Sequence, residues 1–454
     1  MFSFLYSEQK KMRQNAENWL EIAERVYKYR RDQLNAAQLN QLQSAVGEVK
    51  LRLKEKADAG RIKLAVESLE SVLRDTGGRI YPVSSLIENV EFFLGAAILI
   101  LGLRAYFVQP FKIPTNSMWP SYYGMTSEVF LPGQEPGLMR NAARLATLGA
   151  SNYAVTAPAD GEVLIAAYGN EQYMIPAYSE KAGHSMLVFP ATVKEFVFSV
   201  GGEKARITVP ADFDFNQVVG EAFFKGQPGG VFTALAGAAG KSQQPLEQSM
   251  MYLQQGSRKG DARIVWIPLG KKVKKGDKIV SFDILTGDLL FVDRFTYNFF
   301  PPAVGSGFVF RTGNIKDLMS DPTEGGSEKY FIKRLVGVPG DQLEIRKPAK
   351  LITDGEVPPG PSEGQLFRND RPIEGAAAFG KNARKDGLYP GYEANGSLGF
   401  GKVVGVPANK YFAMGDNSPR SKDSRFWGFV PDKDVVGRPL FIYYPLTSRW
   451  GPAQ

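Results

Sequence analysis

The sequence predicts a mainly β protein with an α-helical N-terminal region and one transmembrane helix. Three observations predict it. After Gly124 the chain breaks into short alternating apolar runs punctuated by Gly and Pro, the pattern of strands and turns. Residues 1 to about 80 are polar, rich in Gln, Glu, Lys, Arg, Ala and Leu, and before Gly60 hold no Pro and one glycine, Gly47. Between these regions lies a single long apolar run, 90–108. With 454 residues the chain has room for two or three domains.

In the N-terminal region, 1–84, Trp19, Ile22, Val26 and Tyr29 recur at helical spacing, as Leu64, Val66, Leu69 and Leu73 do more loosely. Two or three amphipathic helices are expected, ended by Gly77, Gly78 and Pro82. The opening residues 1–6 are too short for a signal-peptide core. The transmembrane segment is expected over 85–109. Its uncharged core, 92–103, falls short of the roughly 20 residues a bilayer needs, and extension through 105–108 approaches that length if Arg104 snorkels to an interface. The flanking cations are too few to fix orientation.

Residues 125–286 are expected to form an inserted β-rich domain, with 194–200, 230–235 and 264–269 as strand-like segments. The second half of the small-residue stretch 229–240 reads as a flexible loop. No glycine-rich nucleotide loop occurs in a strand–helix context. Residues 347–400, rich in Gly, Pro and charge, read as a polar insertion.

Composition removes several chemistries. There is no cysteine, which excludes disulfides, thiolate nucleophiles and zinc–cysteine sites. There is one histidine, His184, so no two-histidine metal site fits within one chain. No metal and no cofactor is expected. The net charge of +8 is spread out, and suits an anionic membrane surface rather than a nucleic-acid footprint. A hydrolase built from these residues would take its base from a carboxylate or a lysine.

One serine stands out. Ser117 lies in Phe-Lys-Ile-Pro-Thr-Asn-Ser-Met-Trp-Pro, residues 111–120, directly after the apolar run, and Pro114 and Pro120 bias the backbone to extended geometry on either side. Three more stretches line up behind it: Gly-Asp-Leu-Leu-Phe-Val-Asp-Arg-Phe at 287–295, Tyr-Phe-Ile-Lys-Arg-Leu-Val-Gly-Val-Pro-Gly-Asp at 330–341, and Gly-Asp-Asn at 415–417 followed by Ser-Lys-Asp-Ser-Arg-Phe-Trp-Gly at 421–428. In this order behind a transmembrane helix they resemble bacterial type I signal peptidase, over about 85–124 and 287–445. A serine hydroxyl needs a neighbour to take its proton. A lysine does so when desolvated, since its ordinary pKa is near 10.4, and Phe331, Ile332, Leu335 and Val336 set apolar side chains near Lys333 in sequence. Arg334 is expected at the surface.

The resemblance implies antiparallel sheets forming a catalytic domain from 110–124 and 287–454, with 347–400 as its variable cap. It implies that Ser117 is the nucleophile and Lys333 the general base. The Ser117 N–H and the Thr115 hydroxyl would hold the oxyanion, Ser421 would orient Lys333, and Asp423 and Arg425 would form a supporting ion pair. Phe111, Ile113, Met118, Tyr122 and Ile332 would line shallow substrate pockets. Asn116 departs from the family's usual glycine, and Tyr122 from its commoner leucine. The partners implied are preprotein signal peptides and membrane lipid. The location implied is the inner membrane, single-pass, with the catalytic domain on the outer face.

The inserted domain carries a second, lesser resemblance. Val-Thr-Ala-Pro-Ala-Asp-Gly-Glu-Val at 155–163 and Leu-Gly-Lys-Lys-Val-Lys-Lys-Gly-Asp-Lys-Ile at 269–279 look like the two edges of a biotinyl/lipoyl-type barrel-sandwich fold. Glu180-Lys181-Ala182 is too slight to be a carrier-lysine hairpin, so the resemblance implies a structural or partner-binding barrel. A partner for 1–84 or for this insertion has no specific motif behind it. Two other readings stand beside the peptidase: a membrane-tethered adaptor that keeps the peptidase core as scaffold, and a repressor-type self-cleaving Ser/Lys protease.

Overall fold

The computed structural model describes residues 8–82, 85–185, 189–225, 230–241, 246–255, 258–320, 328–347 and 363–453. Residues 1–6 and the 348–362 part of the polar insertion lie outside these. The chain forms two compact units, Met1–Gly102 and Leu103–Gln454.

In the first unit, α1 (Glu8–Arg30), α2 (Ala36–Lys54) and α3 (Ala59–Thr76) pack around Ala16, Ala23, Val26, Leu42, Val49, Ile62, Leu69 and Leu73. Asn35 and Gln38 form a reciprocal cap on α2, and Asp58 caps α3 by accepting from Arg61 N. Of the apolar positions read from the sequence, Val26, Val66, Leu69 and Leu73 are buried, whereas Tyr29 and Leu64 are exposed. The seam of α1 runs through the small residues Ala16 and Ala23, and at 100° per residue Tyr29 has rotated off it. Helix α4 (Ser85–Tyr106) follows. Among the described residues it is the one helix long and apolar enough to cross a membrane. It stops at Tyr106 rather than at the expected 109, because β1 (Val108–Lys112) is drawn into a sheet.

The chain then runs through β2 (Thr126–Val129), α5 (Leu138–Leu148), β3 (Ser151–Thr156), β4 (Gly161–Asn170), β5 (Tyr173–Pro176), β6 (Tyr178–Ser185), β7 (Phe189–Val200), β8 (Glu203–Pro210), α6 (Asn216–Phe223), α7 (Gly230–Lys241), β9 (Gln248–Gln255), β10 (Arg258–Val273) and β11 (Lys278–Leu285). One sheet has the order β6-β7-β4-β10-β9, with β5 on β4 and β8 on β7, and a second is β2-β11-β3. Phe196, Phe198, Phe213, Phe215 and Phe282 fill the core between them. The strand-like segments 194–200 and 264–269 fall in β7 and β10. Residues 230–235 do not form a strand, and 235–240 are not a loop: both belong to helix α7, which buries Ala234, Leu235 and Ala236. Alanine is the strongest helix former, and a short apolar run does not distinguish strand from buried helix by its period. The stretches 155–163 and 269–279 lie against each other, with Val273 opposite Gly161, Ala157 N donating to Asp277 O and Lys275 N to Asp160 Oδ1. Lys181 sits within β6 and donates to Glu195.

Next come β12 (Leu289–Asp293), β13 (Gly307–Arg311), α8 (Lys316–Met319), β14 (Tyr330–Gly337), β15 (Gln342–Arg346), β16 (Glu363–Arg368), β17 (Arg371–Pro372), α9 (Ala377–Arg384), β18 (Tyr392–Glu393), β19 (Val403–Gly405), β20 (Lys410–Met414), α10 (Ser424–Trp427), β21 (Val430–Pro431), β22 (Val435–Tyr444) and β23 (Gly451–Pro452). Here the antiparallel order is β1-β12-β22-β13-β14-β20-β21, with β23 on β22. A smaller sheet, β17-β16-β15-β19 with β18 on β16, packs Leu343, Ile345, Leu366, Phe379 and Tyr392 against Val336, Phe412 and Met414. The fold is thus mainly β with a helical N-terminal region and one long apolar helix, as the sequence predicts.

The long excursion between β1 and β12 starts and ends at one place. Tyr123 N donates to Asp288 Oδ2 and Asp288 N to Tyr123 O, both at 2.8 Å. Asp288 is fully buried and also takes Arg449 Nη2 at 2.8 Å. Gly287 is dictated by close approach, since a Cβ there would collide with the Ile113 carbonyl oxygen.

Candidate active site

Ser117 occupies the middle of a single 3₁₀ turn, Asn116–Met118, entered from Thr115 in extended conformation (φ −115°, ψ 156°). The turn is tied from both sides. Ser117 O accepts from Asn417 N at 3.1 Å, and Asn116 O accepts from Asn417 Nδ2 at 3.0 Å. The Asn116 side chain donates to Met125 O (3.2 Å) and accepts from Gly124 N (2.9 Å), so it clamps the loop that carries Ser117. A glycine, usual in the resembled family, could not make these bonds. Gly415 lies beneath, where a Cβ would collide with Ser117 O and Ser421 Oγ. The Gly-Asp-Asn stretch therefore sets the height of the serine.

Lys333 comes from β14, opposite Phe308 of β13. Its side chain is buried, 4% exposed, and its Nζ donates to Ser117 Oγ. Phe331, two residues earlier on the same strand face, stands with its ring 5.8 Å from that nitrogen. Burial removes the water that would stabilise an ammonium. Thr115 Oγ1 is 3.5 Å from Ser117 Oγ, on the exposed side. The arrangement brings a hydroxyl, an amine and a second hydroxyl together although the amine lies 216 positions from Ser117. A proton can pass between Ser117 and Lys333 without an intermediary.

The supporting residues divide. Asp423 and Arg425 are both fully covered and form an ion pair at 2.8 Å. Asp423 also accepts from Gly415 N, and Arg425 donates to Ser418 O, Ser421 O and Glu393 O. Ser421 is buried beside Gly415, but its Oγ has no hydrogen-bond partner among the described residues, so the expected bond to Lys333 is not made. The Arg425–Ser421 O bond holds the Ser421 backbone, and the Ser421 hydroxyl lies against Gly415. Of the expected pocket residues, Phe111 and Ile332 keep accessible surface, and the Phe111 ring lies 5.1 Å from that of Tyr330. Ile113, Met118 and Tyr122 are 0–3% exposed and belong to the core with Leu290, Val292, Val309 and Ile442. They back the site rather than face it.

Arg334 is not at the surface. It is 3% exposed, and its Nε and Nη2 grip Asp416 at 2.7 and 2.6 Å, while Nη1 donates to Gly305 O. Although burial works against its charge, the adjacent carboxylate more than compensates and holds the guanidinium firmly protonated. Alternation along β14 turns Lys333 and Arg334 to opposite faces, and the second face is covered by the small sheet and its neighbours instead of water. Ser121 joins this network by bonding Asp416 and Tyr389. Asn116, Ser121, Arg334, Asp416 and Asn417 were thus missed as site-building residues. Asp416 and Asn417 stood inside a motif, and the adjacency of Arg334 to Lys333 was the remaining signal.

A family model described as signal peptidase, peptidase S26, matches residues 272–444. A signal peptidase I of Aquifex aeolicus is 30% identical over 194 residues, which is 36% of this chain and 70% of that protein. The chain belongs to the signal peptidase family, peptidase S26. A probable signal peptidase I-1 of Synechocystis sp. is 28% identical over 165 residues, 36% of this chain and 66% of that protein, and the share of a Leptolyngbya laminosa signal peptidase I is 62%. The chain thus spans just under two thirds of these two relatives. A crystal structure of an Enterococcus faecalis signal peptidase I is 25% identical, with 31% of this chain and 97% of that one covered and a TM-score of 0.19.

Proposed function

We propose that this protein is a membrane-anchored serine endopeptidase that removes N-terminal signal peptides from exported preproteins with a Ser117–Lys333 dyad. The observation that carries the reading is the contact of the buried Lys333 amine with the Ser117 hydroxyl. Neutral Lys333 takes the Ser117 proton as Oγ attacks the scissile carbonyl carbon. The Ser117 N–H and Thr115 hydroxyl stabilise the oxyanion. Collapse expels the new amino terminus, protonated by Lys333, and leaves an ester on Ser117. Water, deprotonated by Lys333, then hydrolyses the ester and frees Ser117.

The sheet supports an extended substrate. β1 is an edge strand, and β20 pairs with β14 only from Arg334 onward, so Tyr330–Lys333 has an open side among the described residues. A peptide laid between these edges gains backbone hydrogen bonds and is led to Ser117. Phe111 and Ile332 face it with apolar surface, backed by Ile113, Met118 and Tyr122, which favours small side chains one and three residues before the cleaved bond. The catalytic domain comprises 110–124 and 287–454, with 347–400 as its cap. The 125–286 insertion is a structural or partner-binding barrel of biotinyl/lipoyl type. α4 crosses the inner membrane once, with the catalytic domain outside. Incubating the purified protein with a preprotein, alongside Ser117→Ala, tests the activity. Cleavage by wild type and none by the variant is expected, and equal cleavage by both would overturn the assignment of Ser117.

A further inference from the structure

Helix α5 is built inside out. At 100° per residue, Leu145, Leu138, Ala142, Ala146, Met139 and Ala143 follow one another around a single face. All six are exposed, Leu138 at 87% and Met139 at 88%. The other side carries Arg144, which bonds inward to Asp283 (2.9 Å) and Glu128 (2.5 Å). A surface helix ordinarily turns its apolar stripe to the core. Here no residue of the helix is buried and the charged side makes the protein contacts. The helix cannot simply roll over, because Tyr444 Oη donates to Leu145 O and Leu446 N to Thr147 O, each at 2.9 Å.

We propose that α5 docks on lipid, its apolar face lying at the headgroup–acyl boundary of the bilayer that holds α4. This rests on the membrane-anchored reading above. Three observations favour lipid as the occupant. β1 starts at Val108, two positions after α4 ends, so no linker separates the sheet from the apolar helix. Lys112 at the far end of β1 is opposite Leu289, and Leu289 is opposite Tyr444, the residue that holds α5. Five strand residues and two strand spacings put that point within roughly 20 Å of the end of α4. Trp450, 53% exposed in the segment just after the Leu446 contact, is a residue type favoured at the bilayer interface.

The absence of cysteine makes the test direct. The full chain, carrying Met139→Cys, Thr147→Cys or Leu94→Cys singly, is labelled with an environment-sensitive fluorophore and placed in nanodiscs of phosphatidylethanolamine and phosphatidylglycerol doped with a spin-labelled quencher lipid. Quenching at 139 should exceed that at 147 several-fold, and Leu145→Glu should reduce it. Quenching at 94 without quenching at 139 overturns lipid docking and leaves the membrane anchor standing. Absence of quenching at 94 overturns the anchor and the proposal together. A probe at 139 that is shielded from aqueous iodide yet unquenched by lipid means that a protein covers the face, which also overturns the proposal.

Discussion

Lys333 and Arg334 are neighbours on one strand, almost equally buried at 4% and 3%, and the two sides of β14 treat their basic groups differently. On one side the Nζ of Lys333 meets the hydroxyl of Ser117 at the open end of the sheet. On the other a guanidinium is locked by a two-pronged carboxylate, a carbonyl and a serine. A buried guanidinium against a carboxylate stays charged and adds shape, not chemistry. A buried amine against a hydroxyl is placed to exchange a proton. Burial of a basic side chain therefore does not mark function by itself; the kind of partner does.

The largest effect should come from the Lys333 side. Ser117→Ala and Lys333→Ala should each lower preprotein cleavage by about 10⁴-fold or more, by analogy with loss of a nucleophile or base elsewhere, with the thermal midpoint near wild type. Lys333→Arg should fail equally, because a guanidinium cannot accept the serine proton. Substantial turnover by Lys333→Ala would sink the comparison from that side. The Arg334 side should respond in stability instead. Asp416→Ala strands a buried guanidinium and should cost about 3–5 kcal/mol in denaturant unfolding. The molecules that remain folded should lose far less activity than Ser117→Ala does. A collapse of turnover with an unchanged unfolding midpoint would reverse the roles given to the two faces.

Ser421 sharpens the contrast. Its hydroxyl bonds nothing among the described residues, so Ser421→Ala should leave the thermal midpoint at or above wild type. A clear drop would mean that Oγ does hold a partner, with Lys333 the first to examine. A smaller effect concerns pH. Burial pushes the Asp341 carboxyl up, but bonds from Arg368, Val338 N and Asn369 outweigh this and leave it below its ordinary value of 3.8. A carboxyl lowered by folding adds stability that is fully present above its unfolded pKa and is lost as pH falls through the folded one. Arg368→Ala should therefore flatten acid unfolding below about pH 4 while leaving cleavage near neutrality intact, as a urea series across pH would show. The smallest change expected is none: His184→Ala and metal chelators should leave cleavage at wild-type rates.

Much of this was legible in the sequence, and the exceptions share a cause. The four motifs brought Ser117, Lys333, Asp423 and Arg425 to one place because each is a short local pattern. Arg334 was misread because strand alternation says which face a side chain takes but not whether that face is later covered, here by the small sheet around Leu343 and Tyr392. No reading was made of 138–148: the apolar stripe of α5 is plain once the helix is known, but periodicity cannot say that the stripe faces away from the protein. α7 looked like strand and loop because Gly-rich and Ala-rich stretches carry little period. The clamp formed by Asn116 was hidden because the substitution looked like a tolerated departure, while its amide spans bonds to Gly124 and Met125 eight and nine residues on.

The reciprocal bonds between Tyr123 and Asp288 have a consequence for how this chain could have been assembled. Backbone that departs at one residue and returns to its hydrogen-bonding partner is, to the rest of the fold, a hairpin whatever its length. Closing a longer loop costs only about 0.6 kcal/mol per doubling, so the junction tolerates cargo of almost any size provided the two bonds survive. The 125–286 segment can be regarded as an exchangeable module plugged into a socket, and a short turn from Met125 to Gly287 should leave Ser117 and Lys333 facing each other.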